Sequence, residues 1–232
     1  MLGLGIFITT SALWLVIPNT IYRPIKRLNI IFDLDNTLIM SLDKTKYLRL
    51  KNQHKPDLDL STRVVWLRPW VHQVLWIMSK FCNIYLFTKA EKYYADTILS
   101  GFGIEKYFKS CKHKQDCGID NKDIRCFSSS YDKLIEFYAK IKFLKSLIED
   151  DNSLTENPKI IKSHKKIIKS VNLHTLKISK FVSRTVLVDD QITNNILDQH
   201  FYHINYYQFG MTWDIEMIKL LFWVLSKSVF GL

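Results

Sequence analysis

The stretch "IIFDLDNTLIM", residues 30–40, sets two aspartates, Asp33 and Asp35, two positions apart at the end of an apolar run, with Thr37 following at the same spacing. Side chains alternate faces along a strand, so Asp33 and Asp35 leave one face if the strand continues. Carboxylates that close repel each other and one pKa rises unless a cation sits between them. The pair therefore reads either as a general-acid pair or as a magnesium site. Asp-x-Asp-x-Thr can also be an exposed turn with an Asx cap. The preceding "LNIIF", residues 28–32, favours the first view. A continuous apolar run bounded by turn formers suggests a buried parallel strand, and ligands in α/β sheets collect at the carboxyl ends of such strands.

Working outward, "RPWVHQVLWIMSKF" carries Val71, Val74, Leu75 and Met78 at helical spacing, which predicts a helix from about Pro69 to Ser79 with the proline in its first turn. "NIYLFT" is a β-rich run ending on Thr88, and "KAEKYYADTILSGFG" suits a second helix stopped by Gly101. "RTVLVDD" then repeats the opening logic, a short apolar strand ending on Asp189 and Asp190. In a parallel sheet the three strand ends meet at one edge, collecting Asp33, Asp35, Thr88, Asp189 and Asp190 in one crevice. Four acids around an open position suit Mg2+ with an anionic substrate, and a hydroxyl among them can donate to a phosphoryl oxygen. Asp33 would then be a nucleophile whose charge the metal balances, and Asp35 the neighbour that protonates the leaving oxygen and later activates water.

Composition bounds this reading. The 232 residues allow one α/β domain with an appendage, and 47% hydrophobic content supports a core. A formal charge of +11 favours acidic partners such as phosphorylated chains, nucleic acid or anionic lipid. The aromatic residues are spread through core-like segments, so a nucleic-acid reader is not expected. Cys82, Cys111, Cys117 and Cys126 show no C-x-x-C spacing and read as reduced thiols. The alternative is a zinc site from Cys111, His113, Cys117 and Cys126.

Met1 to Tyr22 holds no charged side chain, and Arg23, Lys26 and Arg27 follow it. No basic leader or cleavage pattern is visible, so residues 1–22 are expected to be a transmembrane anchor, with residues 1–18 as the span and 23–232 as the folded domain. A cleaved signal or a buried element of the fold are the alternatives. Between about residues 128 and 180 the α/β pattern is interrupted by a helical hairpin. Leu134, Ile135, Tyr138, Ile141, Leu144, Leu147 and Ile148 form one stripe, and a second helix restarts at Asn157 and Pro158 with isoleucines opposite a lysine face. That face reads as a solvated surface or as a contact for anionic lipid or an acidic partner.

"DLDNTL", "YLFTKAEKYYADTIL" and "TVLVDD" resemble the first, second and fourth motifs of haloacid-dehalogenase-type phosphatases of the FCP/SCP (NLI-interacting-factor-like) group, which acts on the RNA polymerase II tail. The same domain occurs in the mitochondrial inner-membrane import receptor of the presequence translocase. "LRPWVHQVLWIMSKF", "GIEKYFKSCKHKQDC" and "TWDIEMIKLLFWVLSKS" are similar to further segments of that group, over roughly residues 28–226. The resemblance implies a Rossmann-like parallel sheet flanked by helices, with Asp33 taking the phosphoryl group, Asp35 as acid and base and Thr88 holding a phosphoryl oxygen. Asp190 would hold magnesium with Asp33 and the Asp35 carbonyl, while Asp189 supports the metal shell or a lysine. The group's lysine, which precedes the fourth motif, is displaced here: Leu173 or His174 falls at its place, with Lys122 in "NKDI" and Lys177 as substitutes. The expected activity is that of a membrane-anchored magnesium-dependent Ser/Thr phosphoprotein phosphatase. The alternative is an inactive scaffold or import-receptor-like subunit of a membrane complex. Its partners would be phosphorylated protein or membrane-complex subunits, and its place the mitochondrial inner membrane or the nuclear/ER membrane.

Overall fold

The computed structural model describes residues 27–50, 54–116, 122–150, 158–194, 200–208, 211 and 213–230. The expected anchor, residues 1–22, lies outside them. Among the described residues no helix is long and apolar enough to cross a membrane.

Strand β1 (Leu28–Phe32) is buried along its whole length, as a strand covered on both faces must be. It pairs in parallel with β5 (Cys82–Phe87) on one side and β7 (Thr185–Asp189) on the other. Beyond these lie β6 (Cys111–Lys112) and β8 (His200–His203), giving the all-parallel order β6-β5-β1-β7-β8. Counted along the chain within this sheet the order is 3-2-1-4-5, the doubly wound arrangement whose direction of winding reverses between β1 and β7. Asn29 ties the centre together, donating to Thr185 Oγ1 (3.1 Å) and accepting from Asn83 Nδ2 (2.8 Å).

Alternation along β1 sends Ile30 and Phe32 to one face and Ile31 to the other. The first face packs with Val74, Leu75 and Met78 of α2 (Val71–Ser79), Ile98 of α3 (Lys92–Gly101) and Leu220 of α6 (Glu216–Phe230). The second packs with Phe87, Ile124 and Leu187. Helices α4 (Tyr131–Asp150) and α5 (Pro158–Val182) form a hairpin between the third and fourth parallel strands. Part of the apolar stripe of α4 stays open: Ile135 and Tyr138 are about half exposed, at 52% and 55%, and line a groove against α5. The burial of Ile141, Leu144, Leu147 and Ile148 lies outside what the structure describes.

Three local expectations are corrected. Strand β1 does not continue through Asp35; it stops at Phe32, and Asn36 takes a left-handed backbone (φ 61°) that folds the chain back, with Leu38 and Ile39 N–H both bonded to the Leu34 carbonyl. Asparagine tolerates that conformation better than most residues. Helix α2 starts at Val71 rather than in a proline turn, because Trp70 adopts φ 69° ahead of it. Helix α3 runs through Gly101. The glycine that ends it is Gly103 (φ 62°), whose N–H reaches the Ser100 carbonyl while Ile104 N–H reaches Leu99.

Unexpected from the sequence is a second, antiparallel sheet, β2-β4-β3, from β2 (Ile39–Asp43), β3 (Leu58–Asp59) and β4 (Arg63–Leu67). It is joined by the short helix α1 (Lys44–Leu48). Its strands are short, five residues in β2 and β4 and two in β3, so the sequence shows no period there.

Candidate active site

At the carboxyl edge of the parallel sheet, the residues after β1 and the end of β7 bracket the reversal point. Asp33 follows β1, Asp189 ends β7, and Asp190 comes next. Ligand atoms of Asp33, Asp189 and Asp190 all lie within 4.8 Å of one another, the only group among the described residues that could hold a metal. Cys111, His113 and Cys126 form no such group, and Cys117 lies outside the described residues.

Lys122 lies between two of these acids. It is 1% exposed, its Nζ is 2.5 Å from Asp33 Oδ1, and it donates to Asp189 Oδ2 at 2.7 Å. A lysine charge is thus present in the crevice, contributed by a segment before the hairpin rather than by Leu173, His174 or Lys177 on α5. Lys177 is exposed on α5 and Leu173 is half exposed there. Burial opposes the charge on Lys122, but Asp33 and Asp189 outweigh it and hold its pKa above the ordinary lysine range.

The partners of Asp189 separate its role from that of Asp190. Asp189 Oδ2 also accepts from Asn194 Nδ2 (2.9 Å), and its Oδ1 accepts from the Gln191 N–H (2.8 Å). Both oxygens are used in holding Lys122 and the following turn. Asp190 Oδ1, in contrast, is buried with no hydrogen-bond partner. Burial, then the charge of Asp189, raises the Asp190 pKa. Burial also pushes the Asp33 carboxyl up to about 7 against the pull of Lys122, with Asp189 adding to the rise. An orphaned oxygen on Asp190, with the pKa values of Asp190 and of the neighbouring Asp33 both raised, fits a hard divalent cation, which would reverse both shifts.

Asp35, beyond the end of β1, stands apart from the three-acid cluster. Its Oδ1 accepts from Tyr94 Oη (3.1 Å) and Ser41 Oγ (3.3 Å), and burial raises its pKa against those two bonds. Asp35 as a side-chain metal ligand therefore has no counterpart in this geometry, although its carboxylate faces the same cavity. Thr88 is 1% exposed, its N–H bonded to the Lys112 carbonyl and its Oγ1 accepting from Ala90 N–H at 3.1 Å. A cavity of 240 Å³ is lined by Asp33, Asp35, Thr88, Lys89, Lys122 and Gln191. Outward from it opens a groove of 600 Å³ that shares Asp35 and Lys89 and adds Ser41, Arg63, Tyr94 and Tyr206.

Sequence reasoning missed Tyr94, Ser41, Lys89 and Asn194. Tyr94 and Lys89 lie inside the quoted second motif, but only the fold shows which of its side chains face Asp35 and Asn194. Lys89 Nζ donates to Asn194 Oδ1 at 3.1 Å.

The fold and site define a class: a doubly wound α/β chain with a buried carboxylate just past a strand end, a separate acid, a hydroxyl and a buried ammonium around a cation-fitting cluster. Residues 28–137, just under half of the chain, match the family model of NLI interacting factor-like phosphatases. Comparison with curated protein sequences finds no match. Among solved structures, the fission yeast RNA polymerase II CTD phosphatase Fcp1, as a variant bound to beryllium fluoride, is similar at 15% identity and a TM-score of 0.47, over 90% of this chain and 52% of that one. A second Fcp1 structure gives 16% identity and a TM-score of 0.48, over 89% and 52%. A HAD-superfamily hydrolase from Ehrlichia chaffeensis gives 11% and 0.42, over 86% and 98%. The chain spans about half the length of the two Fcp1 chains.

Proposed function

We propose that this chain is a magnesium-dependent phosphoprotein phosphatase acting on phosphoserine or phosphothreonine through an aspartyl-phosphate. The observation that carries the reading is the placement of Lys122 between Asp33 and Asp189, with Asp35 held separately by Tyr94 and Ser41. Asp33 is aligned as nucleophile by its bond to Lys122, whose ammonium also supplies positive charge where phosphoryl oxygens gather charge. Thr88 has its hydroxyl in the same cavity, able to donate to a phosphoryl oxygen. Asp35, protonated more readily than an exposed aspartate, gives its proton to the leaving serine or threonine oxygen. Now ionised, it takes a proton from the water that hydrolyses the Asp33 acyl phosphate. Asp33 and Asp190 would hold Mg2+, which neutralises phosphate charge when bound. The 240 Å³ cavity has room for a phosphoryl group and a short side chain, and the outer groove for a flanking peptide.

The full-length protein should hydrolyse an aryl phosphate with magnesium and lose that activity in a chelator, and Asp33→Asn should abolish it. Equal turnover by Asp33→Asn would remove the aspartyl-phosphate mechanism. We further propose that residues 1–18 tether the domain to a membrane, supported by the uncharged run and its basic flank. Carbonate extraction should leave the protein in the membrane pellet; its release into the supernatant would refute the tether.

A further inference from the structure

We infer that the exposed face of α5 is a docking surface for an anionic phospholipid bilayer. Between Pro158 and Val182 the chain holds seven lysines and no aspartate or glutamate. At 100° per residue, Lys166, Lys169, Leu173, Leu176, Lys177 and Lys180 fall within one arc of about 100°. All six are exposed, Leu173 at 51% and Leu176 at 53%. Helix periodicity carries the arc on through positions 159 and 162. The opposite face is the one turned inward, with Ile178 buried and His174 against the Phe137 ring of α4.

A merely solvated helix face usually mixes both signs, so that i,i+3 and i,i+4 pairs offset each other. Here those pairs are lysine with lysine, and among the described residues none of these α5 lysines forms a salt bridge. Two leucines are left in water in the middle of the positive strip. An anionic bilayer surface answers both features: headgroups neutralise the ammoniums while lysine stems and leucine side chains enter the headgroup boundary. A soluble acidic peptide offers the charge without the apolar layer.

The route of the chain agrees. Arg184, two residues past the end of α5, donates from Nη2 to the Arg27 carbonyl at 2.9 Å, so residue 27 is held beside the C-terminal end of the lysine strip. In the sequence, the uncharged run Met1–Tyr22 ends five residues before Arg27. The docking surface deepens the membrane part of the proposed function and rests on it for the orientation of the domain, but the attraction belongs to α5 itself.

The test is hydrogen exchange of the full-length protein on phosphatidylcholine vesicles with and without phosphatidylserine, read on peptides covering residues 166–182. Exchange there should slow at least ten-fold only with phosphatidylserine, and the slowing should disappear at high salt. Lys166→Gln with Lys169→Gln, or independently Lys177→Gln with Lys180→Gln, should remove most of it, while unchanged exchange in β1 and β7 shows that the fold is intact. Equal slowing on phosphatidylcholine alone, full slowing in both variant pairs, or slowing by polyglutamate or a polynucleotide but not by phosphatidylserine vesicles would overturn the inference. Sedimentation with the same vesicles reports separately on residues 1–18. A chain that sediments with α5 unprotected refutes the docking surface and leaves the tether standing; α5 protected on a chain that carbonate releases does the reverse.

Discussion

Lys122 shows how one residue's environment decides its chemistry. A lysine with two carboxylates within 2.7 Å and almost no exposure is held charged, since losing the proton would leave two buried anions facing a neutral amine. Lys122→Ala should lower turnover by at least ~10²-fold, the loss seen when one preorganised electrostatic contact is removed. Lys177→Ala, on the exposed side of α5, should leave turnover within about two-fold, since an exposed charge is screened. Steady-state rates of the two variants on one aryl phosphate check both statements, and equal rates would detach Lys122 from catalysis. Lys122 was legible as a candidate beside Lys177 and the Leu173/His174 position. Choosing among them needed a distance, because spacing along a chain with an inserted hairpin says nothing of spacing across a sheet.

Between elements, Arg68 is the clamp. It is 1% exposed and donates from Nε to Asp214 Oδ2 (2.7 Å), from Nη1 to the Thr37 carbonyl (2.7 Å), and from Nη2 to the Asn205 carbonyl, with Tyr207 stacked at 5.2 Å. These contacts join the loop after Asp35, the approach to α2, the segment after β8 and the approach to α6. Burial lowers the Arg68 pKa, and Asp214 opposes that shift. Removing one partner of a buried pair leaves an uncompensated charge, so Arg68→Ala should destabilise the fold by about 3–5 kcal/mol. Urea unfolding measures this, and a loss under about 1 kcal/mol would show that the clamp is dispensable. The resemblance marked Arg68 and Asp214 as parts of separate segments. Their partnership, 146 positions apart, is a product of the fold.

For the whole molecule, the mutual repulsion of Asp33, Asp189 and Asp190 is only partly offset by Lys122, so a bound divalent cation should stabilise the folded chain. At magnesium a hundred times its Kd the gain is about 2.7 kcal/mol, read as a rise in melting temperature. Asp190→Asn, which removes the carboxylate with the orphaned oxygen, should abolish most of that rise without needing any turnover to be measured. A rise unchanged in Asp190→Asn would move the cation away from this cluster. By itself the sequence determined the three central strands of the parallel sheet and its acidic edge, because buried strands are apolar and two of the three end at a charged residue: Asp33 after "LNIIF", Asp189 after "TVLV"; the edge strands β6 and β8 came only with the fold. It also determined the two helices of the hairpin, whose 3.6-residue period is local. Only the tertiary structure decided the second sheet, whose strands of two to five residues are too short to show a period. It alone gave Asp35 its own partners, Tyr94 and Ser41, away from the metal-fitting cluster, and divided labour between adjacent acids, with Asp189 spent on Lys122 and Asn194 and Asp190 Oδ1 left without a partner. The physical reason is that burial and periodicity are written residue by residue along the chain, whereas a hydrogen-bond partner or a shared cation is a property of positions that only folding brings together.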